Sequence, residues 1–218
     1  MDEAAAVDFI KRNTLLLAPP LTPEISLHLA AESLPIWQKT EEELGEMNVP
    51  PPYWAFAWAG GQALARYILD NPTVVAGRRV IDLGSGSGLV AIAAARAGAS
   101  SVTAFDIDAL AIVAIKLNAS ANGVTLETSV DDPLSGQAPK NAVILVGDLF
   151  YERDLAERVL RFIDTAAQAD CSILVGDPKR NYFPADRFSP VAAYEVPVTR
   201  ELEDHEIKRT TVWRLGQS

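Results

Sequence analysis

Val80-Ile81-Asp82-Leu83-Gly84-Ser85-Gly86-Ser87-Gly88 decides the fold of this 218-residue chain. The aliphatic run Arg79 to Leu83 passes directly into three glycines at alternate positions, and the alanine-rich stretch Leu89 to Ala97 follows. That order reads as strand, tight turn and helix. Glycine at such a junction lets the backbone approach a ligand closely and points helix N-terminal amides at a polar group. The spacing is G-x-G-x-G, which differs from the G-x-G-x-x-G of nicotinamide-binding loops.

Downstream the same alternation continues. Ser101 to Asp106 reads as a strand, Ala109 to Asn122 as a helix stopped by Gly123, and Thr125 to Val130 as a short strand. Ala142 to Val146 and Cys171 to Val175 are unbroken apolar runs of the kind buried on both faces of a parallel sheet, with the helical Glu152 to Ala169 between them. The order βαβα implies right-handed crossovers and an α/β fold. Val191 to Val198 and Ile207 to Leu215 follow with no helix between them, so the sheet is expected to end in an antiparallel hairpin. Upstream, a helix over about Gly60 to Leu69 stops at Asp70-Asn71-Pro72.

Charge narrows the function. Lys plus Arg number 19 against 29 Asp plus Glu, a net of −10, which opposes binding to a phosphate backbone. Residues 1–50 hold nine acids and three bases, so −6 of that charge lies there. This segment is expected to be an acidic helical extension facing the substrate, ahead of a catalytic domain over 51–218. With Cys171 as the only cysteine and His28 and His205 as the only histidines, no disulfide framework or zinc site is expected, and Cys171 is read as a small core residue. No secretory leader or membrane-length apolar run is seen. A cytoplasmic protein is expected, or one of the mitochondrial matrix if the chain is a processed eukaryotic form. A monomer or weak oligomer is expected.

Asp82, two residues before Gly84, together with Gly84, Ser85, Gly86 and Gly88, resembles motif I of the S-adenosylmethionine (SAM) methyltransferases. The hairpin ending also resembles those enzymes, and together they imply a Rossmann-like, seven-stranded, mostly parallel sheet with helices on both faces. A ribose-binding acid is required at the end of the next strand, about 20 residues on. Asp106 fits, whereas Asp108 precedes the alanine-rich helix and fits an N-cap. Asp131 or Asp132 would face the adenine amino group in this architecture, with Asp131 preferred.

Gly147-Asp148-Leu149-Phe150-Tyr151 resembles the D-x-x-Y element of seven-β-strand protein lysine methyltransferases. A lysine amine must be neutral to accept a methyl group, and at pH 7 its deprotonation costs roughly 4.6 kcal/mol. A carboxylate at Asp148 would orient the lysine and offset that cost, with Tyr151 lining its apolar stem; the competing reading has Asp148 cap the next helix. Pro51-Pro52-Tyr53 is read as a structural approach to the Gly60 helix. Leu21 to Ile25, Pro52 to Leu64, Asp82 to Gly88, Gly147 to Tyr151 and Gly176 to Arg180, in that order, look like the electron transfer flavoprotein β-subunit lysine methyltransferases. That resemblance implies that Trp58 borders the cofactor, with Gly84, Ser85 and Gly86 in its loop, Asp106 on the ribose and Gly147 at its edge. It further implies methylation of lysines on the flavoprotein's β subunit, near the surface where redox partners dock. Trp54 and Trp58, one helical turn apart, could equally be a core pair; Lys179 and Arg180 could touch substrate or solvate a loop. The alternatives are a methyltransferase of a ribosomal protein or small amine, and a SAM-fold protein that binds a partner without catalysis.

Overall fold

The computed structural model describes residues 1–30, 51–197 and 207–216. Glu3–Asn13 form α1, and Leu15–Leu17 (β1) pairs antiparallel with Leu27–Leu29 (β2). A single turn at Tyr53–Ala55 then leads into α2 (Ala59–Asp70), β3 (Arg79–Leu83), α3 (Leu89–Arg96), β4 (Ser101–Phe105) and α4 (Ala109–Ala121). The chain continues with β5 (Glu127–Ser129), β6 (Val143–Gly147), α5 (Arg153–Gln168), β7 (Ser172–Asp177), β8 (Phe188–Pro197) and β9 (Ile207–Leu215). Every strand and helix expected between Gly60 and Leu215 is present, within a few residues at each end.

The seven strands β3 to β9 form one sheet in the order β5-β4-β3-β6-β7-β9-β8. β3 to β7 run parallel, while β9 runs antiparallel to both β7 and β8. The expected mostly parallel sheet with a C-terminal hairpin is therefore the fold. From β3 the chain steps outward to β4 and β5, then crosses back to β6, so the order reverses beside β3. In open α/β sheets that reversal opens a crevice at the carboxyl ends of the strands.

Alternation along the central strands explains the two covered faces. Val80, Val143, Leu145 and Leu174 turn to the side where α2 and α3 pack, whereas Ile81, Leu83, Ile144, Val146, Ile173 and Val175 meet Val159, Phe162 and Ile163 of α5. Each buried aliphatic side chain contributes about 1.5–3 kcal/mol. A one-residue slip would turn whole rows to the wrong face, so the register is strongly specified.

The N-terminal segment docks on α4. Ala6 and Ile10 of α1 join Trp54, Leu110, Ala111 and Ala114 in a separate apolar cluster. The Asn118 and Asn122 side chains accept the main-chain N–H groups of His28 and Ser26 at 2.7 and 3.0 Å. The extension expected to be helical is, within residues 1–30, one helix and a two-stranded hairpin; residues 31–50 lie outside the described residues, as do Val198 and Thr199 to Glu206. No helix among the described residues is long and apolar enough to cross a membrane.

Between α2 and the ends of β6 and β7 the backbones touch. A Cβ on Gly60 would sit 2.2 Å from the Gly176 carbonyl oxygen, and one on Gly176 would sit 2.1 Å from that of Gly60. Gly61 is different, because a Cβ there would meet only Val90 Cγ2 at 3.9 Å. Gly176→Ala should therefore destabilise by about 1–3 kcal/mol or more, lowering Tm by roughly 2–4 °C per kcal/mol. Gly61→Ala should be neutral or slightly stabilising, since alanine favours the helix. Thermal unfolding followed by circular dichroism checks both; an undisturbed Gly176→Ala melt would refute the contact.

Candidate active site

The glycine loop is built by three left-handed residues. Gly84, Gly86 and Gly88 have φ of +58°, +54° and +81°, conformations that side chains resist. A Cβ on Gly84 would also lie 2.6 Å from Leu149 Cδ2. Gly88 caps α3, and there a Cβ would press on Ile115 at 3.2 Å. Asp82 is buried beneath the loop, where its Oδ2 accepts the Ser85 hydroxyl and the Ala91 N–H at 3.2 Å. Burial pushes its carboxyl up to about 7, against the pull of those two donors.

Asp106 stands at the end of β4 and ties the loop to it. Its Oδ2 accepts the Gly86 N–H at 2.8 Å and its Oδ1 the Asp108 N–H at 3.0 Å. Burial raises its pKa, and the two N–H groups oppose that rise. Asp108 accepts from Leu110 N–H at 2.8 Å and is the N-cap of α4, as its sequence position suggested.

A cavity of about 460 Å³ opens at the crevice, within the size range of ligand sites. Trp58, Gly84, Gly86, Asp106, Gly147, Asp148 and Tyr151 of the expected set line it. Asp82 and Ser85 instead border a small adjoining space of about 40 Å³. Gly88 lines neither, being occupied with the start of α3.

Asp131 also lines neither, because its carboxylate turns back to accept the Ser129 hydroxyl at 2.8 Å. Asp132 lines the main cavity. Burial pushes the Asp132 carboxyl up, but bonds from Arg158, Leu134 N–H and Ser135 hold it below its ordinary value. Of the two acids, Asp132 is the one brought to the cavity, by the turn at Pro133–Ser135 and by Arg158, which reaches it from α5. Arg158 follows Leu155 by one helical turn, and both line the cavity. That spacing was the available sequence signal for a contribution from α5.

On the other side of the cavity, Asp148 has φ +55° and caps no helix, since α5 begins after Glu152. Its Oδ2 accepts the Gly61 N–H at 2.9 Å, and its Oδ1 accepts Arg180 Nε and Nη2 at 2.9 and 2.6 Å. The Arg180 guanidinium carbon lies 5.7 Å from the Trp58 ring centre, within cation–π range. Tyr53 stands 6.0 Å from both Trp58 and Tyr151, measured between ring centres, and is 50% exposed. Tyr53 was read as purely structural, yet it lines the cavity and its carbonyl accepts the Trp58 indole N–H at 2.9 Å. The two tryptophans separate: Trp54 is buried in the α1 cluster, while Trp58 precedes α2 and faces the cavity. Arg180 lines the cavity and Lys179 does not.

A mostly parallel sheet ending in this hairpin, with a glycine loop after β3 and an acid after β4 at the reversal, defines a Rossmann-like methyltransferase domain. A family model described as ribosomal protein L11 methyltransferase (PrmA) matches residues 62–171, the part from α2 to the start of β7. The electron transfer flavoprotein beta subunit lysine methyltransferase of Danio rerio is 38% identical over 216 residues, covering 96% of this chain and 83% of its own length. The Homo sapiens protein of that name is 35% identical, covering 94% and 80%. Among solved structures, the magnesium protoporphyrin IX methyltransferase of Synechocystis with bound SAM aligns with a TM-score of 0.53 at 19% identity, over 72% of this chain and 80% of that one. The chain belongs to the electron transfer flavoprotein beta subunit lysine methyltransferase family.

Asp82 should leave a signature in stability. Its carboxyl ionises near 7 in the folded chain, whereas an unfolded aspartate ionises at about 3.9. The folded state holds the proton more tightly, so this residue's stabilising contribution is complete below about pH 4 and is lost as pH rises to about 7. Asp82→Asn keeps an oxygen for Ser85 and Ala91 and has no charge to desolvate. Its stability relative to wild type should therefore rise between about pH 4 and pH 7, read from chemical denaturation across that range. A constant difference between the two would show that Asp82 does not titrate there.

Proposed function

We propose that the protein is a SAM-dependent protein-lysine N-methyltransferase acting on the β subunit of electron transfer flavoprotein. The observation that carries the reading is the position of Asp148. Its carboxylate lies at the end of β6, on the same cavity as the glycine loop and Asp106, beside an aromatic wall of Tyr53, Trp58 and Tyr151. The family match supports the substrate, because it extends across both the N-terminal segment and the β7 to β9 region. The L11-type match stops at residue 171, short of Asp177 and Arg180.

The residues present fit the cofactor. Gly84 and Gly86 leave backbone where a side chain would obstruct the cavity, and Asp106 offers a carboxylate for the ribose hydroxyls. Asp132, on the same cavity, suits the adenine amino group. When bound, SAM supplies a sulfonium methyl that an uncharged amine takes in line. Asp148 receives the lysine as an ammonium and orients it, Tyr151 and Tyr53 flank its aliphatic stem, and the apolar wall limits water around the amine. The amine's proton leaves to water before transfer; positioning supplies most of the acceleration, and no covalent enzyme intermediate is required.

Asp106→Asn should weaken SAM binding roughly 10- to 100-fold in calorimetry, the worth of a charge-assisted hydrogen bond. Asp148→Asn should keep cofactor affinity and lose methyl transfer by about 100-fold or more. The decisive assay incubates the enzyme with labelled SAM and purified electron transfer flavoprotein, then maps the labelled lysines by mass spectrometry. Label confined to other proteins in a lysate would overturn the substrate, and no heat with SAM or S-adenosylhomocysteine would overturn the cofactor.

The acidic composition of residues 1–50 belongs to the same reading, as an attraction for a lysine-bearing protein. Turnover on the flavoprotein should then fall as salt rises from about 0.05 to 0.3 M while cofactor affinity changes little. Equal salt sensitivity of the two would return that charge to a solvated surface.

A further inference from the structure

Two carboxylates and one guanidinium meet where β6 and β7 end. The strands pair Gly147 with Gly176, so Asp148 and Asp177 follow on neighbouring strands. Arg180 serves both: its side chain goes to Asp148 Oδ1, and its main-chain N–H goes to Asp177 Oδ1 at 2.7 Å. Asp177 is fully buried, and its Oδ2 meets no hydrogen-bond partner among the described residues. An unmet buried polar atom costs about 1–3 kcal/mol. A cost of that size beside a catalytic carboxylate calls for a reason.

The lysine-binding role given to Asp148 supplies one. An ammonium arriving at Asp148 meets a guanidinium already bonded to it. Two such cations about 4 Å apart repel by about 4 kcal/mol at an effective dielectric constant near 20. Arg180 has somewhere to go, because its planar group lies over the Trp58 ring and its own loop carries the open oxygen of Asp177. Burial pushes the Asp177 carboxyl up to about 7, and the Asp148 charge adds to the rise while Arg180 opposes it. Among the described residues those two are the charged groups acting on it, and the Arg180 and Lys179 main chains also oppose the rise. From β9, Thr211 stands opposite and Trp213 Nε1 approaches the Asp177 carbonyl, and α2 meets β7 here through the Gly60 backbone.

We propose that Asp177 is a positioning residue for the methyl-accepting lysine: as the ammonium takes Asp148, the Arg180 guanidinium shifts to Asp177 Oδ2, and the Asp177 carboxyl releases its proton to water. This rests on the lysine methyltransferase reading. Among the four groups the charges balance, since one positive charge enters with the lysine and one leaves with the proton. Lysine capture therefore becomes harder below neutral pH, by tenfold per unit for the one proton released. The lysine's own ionisation at about 10.4 adds a tenfold-per-unit slope that is constant across that window, so a break near pH 7 belongs to Asp177.

The test is the pH profile of kcat/KM, from about pH 5.5 to 8.5, with purified electron transfer flavoprotein and saturating SAM, for wild type and Asp177→Asn. Asparagine still accepts the Arg180 main-chain N–H, so a purely structural role leaves the profile's shape unchanged. The expected result is a lower kcat/KM in the variant, with the extra tenfold-per-unit fall below about pH 7 gone and SAM affinity kept. Parallel profiles would overturn the proposal and leave the enzyme reading standing. Absence of transfer by wild type would overturn both. If Asp177→Asn fails to fold, Arg180→Gln carries the test: with no guanidinium to relocate, the same extra fall should vanish, and its persistence would overturn the proposal.

Discussion

The close approach of α2 to β6 and β7 is the constraint on which the site depends. Gly60 and Gly176 let the helix backbone touch the strand backbone, which brings the first turn of α2 within hydrogen-bond reach of Asp148. A helix N-terminus carries about half a positive charge, worth about 0.3–1 kcal/mol to a nearby anion. The Gly61 N–H delivers it at 2.9 Å. Asp148 holds a left-handed conformation that costs of order 1–3 kcal/mol, and the helix terminus together with the Arg180 fork offsets that cost. Trp58, immediately before α2, is placed over the cavity by the same contact. The glycine loop comes from β3 and the Asp148 carboxylate from β6. They meet because those strands are neighbours where the sheet order reverses.

Most of the fold was legible because its signals are local and periodic. Each central strand alternates its aliphatic residues between two faces, and the three glycines mark a turn that other residues would resist. The place of Asp106 beside the glycine loop could be read for a similar reason, since its distance from Gly84 follows from the length of one helix and one strand. Asp108 could be assigned as a cap because it directly precedes α4.

What escaped the sequence depends on pairings that no local pattern encodes. Asp131 and Asp132 are adjacent acids ahead of the same proline, and a partner 26 residues downstream, Arg158, separates them. Arg180 carries no sign in its own segment that it will bond Asp148, 32 residues earlier. Tyr53 looked like a residue of an approach segment because its value to the site comes from Trp58 and Tyr151, which arrive from other elements. The N-terminal helix was expected, but the hairpin after it was not, since Leu15–Leu17 is only three residues long and all three are exposed. Its partner strand is held by asparagine side chains of α4, a contact across roughly 90 residues.

The net charge of the chain matters less than the arrangement of four acids along the central strands. Asp82, Asp106, Asp148 and Asp177 lie at or near the carboxyl ends of β3, β4, β6 and β7, and neighbouring strands are only about 4.8 Å apart. Carboxylates crowded in this way cannot all ionise freely. Hydrogen bonding sorts them. Asp106 and Asp148 have donors on both oxygens. Asp82 takes its two donors on a single oxygen, and Asp177 leaves one oxygen unmet. The latter two are the acids pushed to about 7. The fully bonded acids, Asp106 and Asp148, line the cavity. The under-bonded pair lies off the main cavity, and each, pushed to about 7, is partly protonated near neutral pH. The two carboxylates on the cavity are thereby spared part of the repulsion that four buried charges on adjacent strands would otherwise impose.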